Sequence, residues 1–220
     1  MDLGKSFSFV FEDENWVAKI IIGGIISIIP IIGWFLVMGY MVGIARNVIR
    51  GNPRPLPEWS DFGQMIVDGL YGVIVALVYM LPLIIVACIF YAPSMWIFAD
   101  ESGDIGTMGT LVSCCFTAFA VLYGLIAGWF FIPSALGRYA DTDDLGAALR
   151  INEVLNLSRA NPGAFLVALL VSILAGFLAG FGVILCCIGV LFTSFYSQLV
   201  TGHIYGQAYV VAKEKTASMA

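Results

Sequence analysis

Residues 69–98 read GLYGVIVALVYMLPLIIVACIFYAPSMWIF, thirty consecutive positions without a charged side chain. A helix of about 20 apolar residues crosses the roughly 30 Å hydrocarbon core of a bilayer. The stretch is continuously apolar instead of alternating with a period of two, so it reads as helix and not as barrel strand. Its surroundings repeat the pattern. Residues 105–137 carry no charge, residues 162–211 hold no Asp, Glu, Lys or Arg, and between 16 and 49 only Lys19 and Arg46 are charged.

The whole chain agrees with its most apolar part. Of 220 residues, 60% are apolar and 11% charged, with a mean hydropathy of +0.96. Soluble domains run near 45–50% apolar and about 25% charged. Disorder is excluded, because disordered chains are poor in apolar residues. Ten Lys and Arg against fifteen Asp and Glu provide no basic field for nucleic acid. A single histidine argues against a soluble enzyme with a polar cleft. One integral membrane domain over 1–220 is expected. No cleavable signal peptide is expected either, because Glu12, Asp13 and Glu14 precede the first run in place of a basic region.

The runs resolve into an all-α, polytopic bundle of about six membrane segments. Residues 69–92 and 108–136 make one span each. Residues 163–210 would extend about 72 Å as one helix, so they read as two spans joined between Gly180 and Gly189. Residues 17–49 hold Pro30 and Gly33 near their middle. They form either one kinked helix or a hairpin, since an internal proline breaks a helical hydrogen bond. Basic residues collect in cytoplasmic loops. Asp100, Glu101 and Asp104 mark an external loop, while Arg46, Arg50, Arg54, Arg138, Arg150 and Arg159 mark internal ones. The hairpin reading places all ten basic residues on one side, with both termini cytoplasmic. Three hairpins follow, at about 16–50, 65–137 and 162–212, in an inner cell membrane. Amphipathic stretches at 6–15, 59–68 and 146–161 lead into them, a weak parallel repeat.

A resemblance enters on particular residues: IIPIIGW at 28–34, Gly39 and Tyr40, RNVIRG at 46–51, PLPEWSDF at 55–62, and Asp68 with Gly69. This pattern resembles a family of prokaryotic multi-pass membrane proteins, domain of unknown function 4013. The resemblance covers most of the chain, and its specific motifs lie within about 28–92. It implies a membrane helical fold and transfers no activity or catalytic residue.

The linker carries prolines at 53, 55 and 57, which favour an extended chain. It delivers Trp59 to the headgroup zone, where Asp61, Phe62 and Asp68 belong to an interfacial amphipathic helix. These four residues are a candidate docking surface for a partner or lipid. The plain alternative is a structural stop, with Asp61 or Asp68 pairing Arg46 or Arg50. On the last helix Gln198, Thr201, His203 and Tyr205, with Ser194, Ser197 and Tyr209, form a polar stripe at three- and four-residue spacing. It is either a solute or proton path or a set of interhelical hydrogen bonds.

Five cysteines, Cys88, Cys114, Cys115, Cys186 and Cys187, lack a metal-binding Cys-x-x-Cys spacing. Apolar packing is the foremost reading for them, ahead of a disulfide or a metal. Glycines four apart recur as Gly39/Gly43, Gly124/Gly128, Gly176/Gly180 and Gly202/Gly206, faces that let helices approach closely. No nucleophile elbow, phosphate loop or His-Glu-x-x-His is found, so neither an enzyme nor a cofactor is expected. The favoured function is a non-catalytic accessory or scaffold protein, bound to lipids and to other membrane subunits in a hetero-complex or homo-oligomer. The alternative is a small-solute or lipid transporter using the polar stripe.

Overall fold

The computed structural model describes residues 1–97, 104–185 and 188–219, and every regular element among them is helical. A short helix α1 (Leu3–Ser8) is capped by Asp2, whose side chain accepts from Lys5 N at 2.9 Å. Helix α2 (Trp16–Ile26) ends where Ser27 Oγ donates to Gly23 O. The chain then reverses within five residues. Ile31 takes φ +66°, ψ −67° and Ile32 N bonds Pro30 O at 2.8 Å, a tight three-residue turn that strains a β-branched residue. The turn leads into α3 (Ile32–Ile49). A β-carbon on Gly33 would lie 2.1 Å from Ile26 O, so only glycine lets the two arms meet so closely. Residues 17–49 are therefore a pair of helices, and α2 is the short member at 11 residues.

Helix α4 (Phe62–Val86) opens on Asp61, whose side chain accepts from Gln64 N. It continues through a π turn (Ala87–Tyr91) into α5 (Ala92–Ile97). Helix α6 (Asp104–Ile126) passes through a second π turn (Ala127–Phe131) into α7 (Ile132–Thr142). Both widened turns precede an x-Pro-Ser sequence, Pro93-Ser94 and Pro133-Ser134. Proline supplies no N–H to the carbonyl four residues back and its ring pushes that carbonyl away, which opens the turn. Hydroxyls add backbone bonds beside both turns: Ser94 Oγ donates to Tyr91 O at 2.7 Å, and Ser134 and Ser158 both donate to Phe130 O. The stretch at 59–68 is thus not a separate interfacial helix. Trp59 and Ser60 form a turn, and Phe62 to Asp68 are the first turns of the long α4.

Helix α7 stops at Asp143 in the left-handed region (φ +53°). Two short helices, α8 (Leu145–Ala148) and α9 (Ile151–Ala160), return along it. Asn161 caps α10 (Pro162–Gly180), and α11 (Ile188–Met219) closes the chain. The core lies where α3, α4, α7, α10 and α11 meet, around Val75, Tyr139, Phe165, Val200 and Ile204. A second cluster joins the N-terminal segment to α3 and α11 through Phe9, Val10, Tyr40 and Phe195.

Among the described residues, four helical stretches are long and apolar enough to cross a bilayer: Ile32–Ile49, Phe62–Ser94, Thr107–Thr142 and Pro162–Ile184. They are the helices of a membrane protein. Of the six segments expected, α2 is too short for this measure, and α11 is long but carries the polar stripe.

Candidate functional site

The charged side chains that the sequence scatters over 13–153 converge at one end of the bundle. Arg46, on α3, grips Asp68 of α4 through two bonds, Nη1 to Oδ2 at 2.6 Å and Nη2 to Oδ1 at 3.0 Å. Asp68 also accepts from Tyr139 OH at 2.7 Å and from Gln64 Nε2 at 3.1 Å. Arg46 Nη2 lies 2.6 Å from Asp143, which Arg50 holds from outside at 3.1 Å. Three helices are thus tied at one buried point. Arg46 Nε is buried and has no partner among the described residues. A crevice of about 180 Å³ between α3 and the start of α4 is bordered by Arg46, Asp61, Gln64 and Asp68.

A second node clamps α2. Lys19 is buried, with Nζ 2.8 Å from Asp13 and 2.7 Å from Glu58. Trp59 Nε1 donates to Lys19 O, its ring stacks on Tyr40 at 4.4 Å, and Tyr40 OH donates to Pro57 O. Burial pushes the Asp13 carboxyl up. The Lys19 ammonium and the Asn15 N–H outweigh it and hold Asp13 below the usual carboxylate range. Further clamps join Asp141 to Lys213 and Tyr209, and Glu153 to Arg138 and Arg150. Across these nodes acid is matched with base. Such an arrangement fixes helices and resembles no nucleophile–base pair.

The four proposed docking residues part company here. Asp68 is buried in the Arg46 node, Asp61 caps α4, Trp59 is half-buried as the clamp over Tyr40, and Phe62 remains exposed beneath Trp59. The polar stripe is likewise divided among several neighbours instead of lining one path. Gln198 and Ser194 border a cavity of about 300 Å³ with Ser27 and Trp34. Thr201 bonds back to Ser197 O within its own helix. His203 stacks on Phe9 at 4.3 Å, and its Nδ1 meets Ser6 Oγ and Gln207 Nε2, each at 3.1 Å. Tyr205 is buried in the core that α11 shares with α10. Sequence spacing placed these residues on one helix. It carried no sign that the N-terminal segment covers His203.

The glycine pairs also separate. A β-carbon on Gly39 would lie 1.9 Å from Met65 O, and one on Gly69 1.8 Å from Phe35 O, so α3 and α4 touch backbone to backbone. Gly202 and Gly206 meet Met41, Ala45 and Val48 of α3, and Gly43 meets Pro57. By contrast Gly124, Gly176 and Gly180 have nothing within 4 Å, and Gly128 meets only Leu169, at 3.5 Å. Cys88, Cys114 and Cys115 are free and exposed; Cys186 and Cys187 lie outside the described residues, as do Asp100 and Glu101. No group of three or more metal-ligating side chains forms among the described residues.

Neither the curated proteins nor the solved structures hold a match to the chain. The family of proteins of unknown function DUF4013 matches residues 22–188, a range that includes α3, the paired Arg46 and Asp68, and the long α4–α7 hairpin. The chain therefore belongs to the DUF4013 family.

Proposed function

We propose that this protein is a membrane accessory subunit that holds partner membrane helices and performs no catalysis of its own. The observation that carries the reading is the division among its glycines. Gly39, Gly69, Gly202 and Gly206 are used up inside the bundle, whereas Gly124 on α6 and Gly176 and Gly180 on α10 lie open. Small residues on an open face let another helix approach closely, and van der Waals packing drives association in lipid. Around them Val121, Leu122, Leu125, Ile173 and Phe177 are exposed, so the faces are apolar throughout. The ion nodes at the other end stiffen the scaffold that presents them. In this reading the basic end, with both termini, faces the cytoplasm across an inner cell membrane, and six segments enter the bilayer as three hairpins. The partner is a second integral membrane subunit, in a hetero-complex or a homo-oligomer.

Purification in a mild detergent, followed by intact-complex mass measurement, tests this. A stoichiometric membrane partner is expected, weakened by Gly124→Leu or Gly176→Leu while folding is unchanged. A lone protomer from native membranes would overturn it. A second reading, handling of a small solute or lipid, is supported by the cavity at Ser27, Trp34, Ser194 and Gln198. That reading predicts a copurifying small molecule lost on Gln198→Leu.

A further inference from the structure

The helices that share the Arg46 node differ greatly in how far they run from it. Arg46, Asp68 and Tyr139 meet through their side chains, and Gly206 of α11 abuts Ala45, so these residues mark the node at one end of the helices. From its node residue α3 runs 14 residues to Ile32 and α11 runs 18 to Ile188, axial lengths of about 21 and 27 Å; Gly69 of α4 backs onto Phe35, so α3 stops three residues beyond that contact. Thr193 Oγ1 donates to Ala179 O at 2.7 Å, tying the end of α10 to α11 about 20 Å from the node. Gly23 and Gly24 of α2 fit against Phe195 and Phe192, so α2 ends at the same height. The α4–α6 hairpin goes much further. Asp68 to Ile97 is 29 residues and Tyr139 back to Asp104 is 35, or about 44 and 52 Å.

A membrane is about 40–45 Å thick with its headgroups and about 30 Å in its hydrocarbon core. With the node in one headgroup layer, the long hairpin reaches the other. The remaining helices stop about half to two thirds of the way across. Side-chain chemistry separates this from the opposite placement, in which the short helices reach the far surface. That placement would lift about 20 Å of the α4–α6 hairpin into water, and its outer part is apolar, with Phe90 67% exposed and Ile89, Met108 and Leu111 close behind. The turns of the short pairs carry no charged side chain. Around Ser27–Ile31 the exposed residues are Ile28, Ile29 and Ile31, with Trp34 71% exposed, and beyond α10 they are Phe181, Val183 and Ile184. Of the connections within the three helix pairs, only that between α5 and α6 contains acids, Asp100 and Glu101, with Asp104 opening α6.

We infer that α2–α3 and α10–α11 are half-depth hairpins, that α4–α6 alone crosses the membrane, and that acyl chains of the far leaflet fill the notch above them. The uncharged and mainly apolar rim of that notch suits lipid chains. The inference stands on helix lengths and exposed side chains, so it does not depend on the accessory role.

Two measurements on the full chain in phospholipid vesicles test it. In a variant that keeps Trp34 alone, with Trp16, Trp59, Trp96 and Trp129 changed to Phe, lipids brominated near the acyl terminus should quench Trp34 at least about twofold more than lipids brominated beside the headgroup. The reverse order would place the turn at the surface and overturn the proposal. Absence of quenching by either lipid would show that protein, not lipid, fills the notch. In a cysteine-free background, Asp104→Cys should react with an impermeant maleimide added from its own side, while Ile31→Cys and Ile184→Cys should resist labelling from both sides. Labelling of Ile31→Cys as fast as Asp104→Cys would refute half-depth insertion, including where the single-Trp variant fails to fold.

Discussion

Replacing Asp68 with Asn keeps the side chain's shape and removes the charge that joins α3, α4 and α7. The carboxylate is 3% exposed and its partner Arg46 is 12% exposed, so water replaces little of what is lost. Asp68 accepts from Arg46 twice, from Tyr139 and from Gln64. The Asn amide turns one of those contacts into a donor facing a donor. Removing one partner of a buried ion pair costs about 3–5 kcal/mol. Asp143, 2.6 Å from Arg46 Nη2 and half exposed, retains part of the compensation, which brings the expected loss to about 2–4 kcal/mol. At about 2–4 °C per kcal/mol for a chain of this size, the melting temperature in detergent should fall by about 5–15 °C. Removing both charges, with Arg46→Met and Asp68→Leu, should cost less than the single change, because no unpaired charge stays buried. Thermal unfolding followed by size-exclusion chromatography gives both numbers. An Asp68→Asn protein no less stable than Arg54→Ala, which breaks only the exposed pair with Glu14 and costs about 0–1 kcal/mol, would refute the reasoning.

Other outcomes follow from the same contacts. Gly39→Leu and Gly69→Leu should prevent folding, since each side chain meets a backbone carbonyl, while Gly124→Leu should leave the melting temperature within about 2 °C of the parent; a thermal melt of each distinguishes them. Asp13, held below its ordinary 3.8, contributes stability that is complete above that value and is lost as pH falls toward its lower folded value. Asp13→Asn should therefore flatten the acid limb of a stability–pH curve below about pH 4. Ser158→Ala with Ser134→Ala strips both hydroxyls from Phe130 O and should cost about 1–3 kcal/mol in chemical denaturation. His203→Ala removes the stack on Phe9 and the bond to Ser6, so limited proteolysis should cut the first 15 residues faster.

Much of the helical layout was legible because lipid imposes long uncharged runs. The break at Pro30 and Gly33 was visible as a choice between a kink and a hairpin, and the positive φ at Ile31 decides it. Other features had no reading in spacing alone. Gly39/Gly43 and Gly124/Gly128 have the same period, yet one pair is enclosed and Gly124 faces outward, because a period names a face and not what lies opposite. Lys19 is visible in the sequence only as a charge within the first apolar run; its burial depends on Asp13 and Glu58, 6 and 39 residues away. The amphipathic pattern at 59–68 was legible, and of the two readings offered for it the pairing of Asp68 with Arg46 is the one the structure holds. The x-Pro-Ser pairs were the one available signal for the π turns.

The proposed assembly with a partner membrane subunit rests on the open glycine faces of α6 and α10. Its most direct measurement is the mass of the complex extracted from native membranes into lipid nanodiscs, compared between the parent chain and the Gly124→Leu, Gly176→Leu double variant. The account predicts a stoichiometric assembly for the parent and a folded lone protomer for the variant. Identical masses for the two would contradict it.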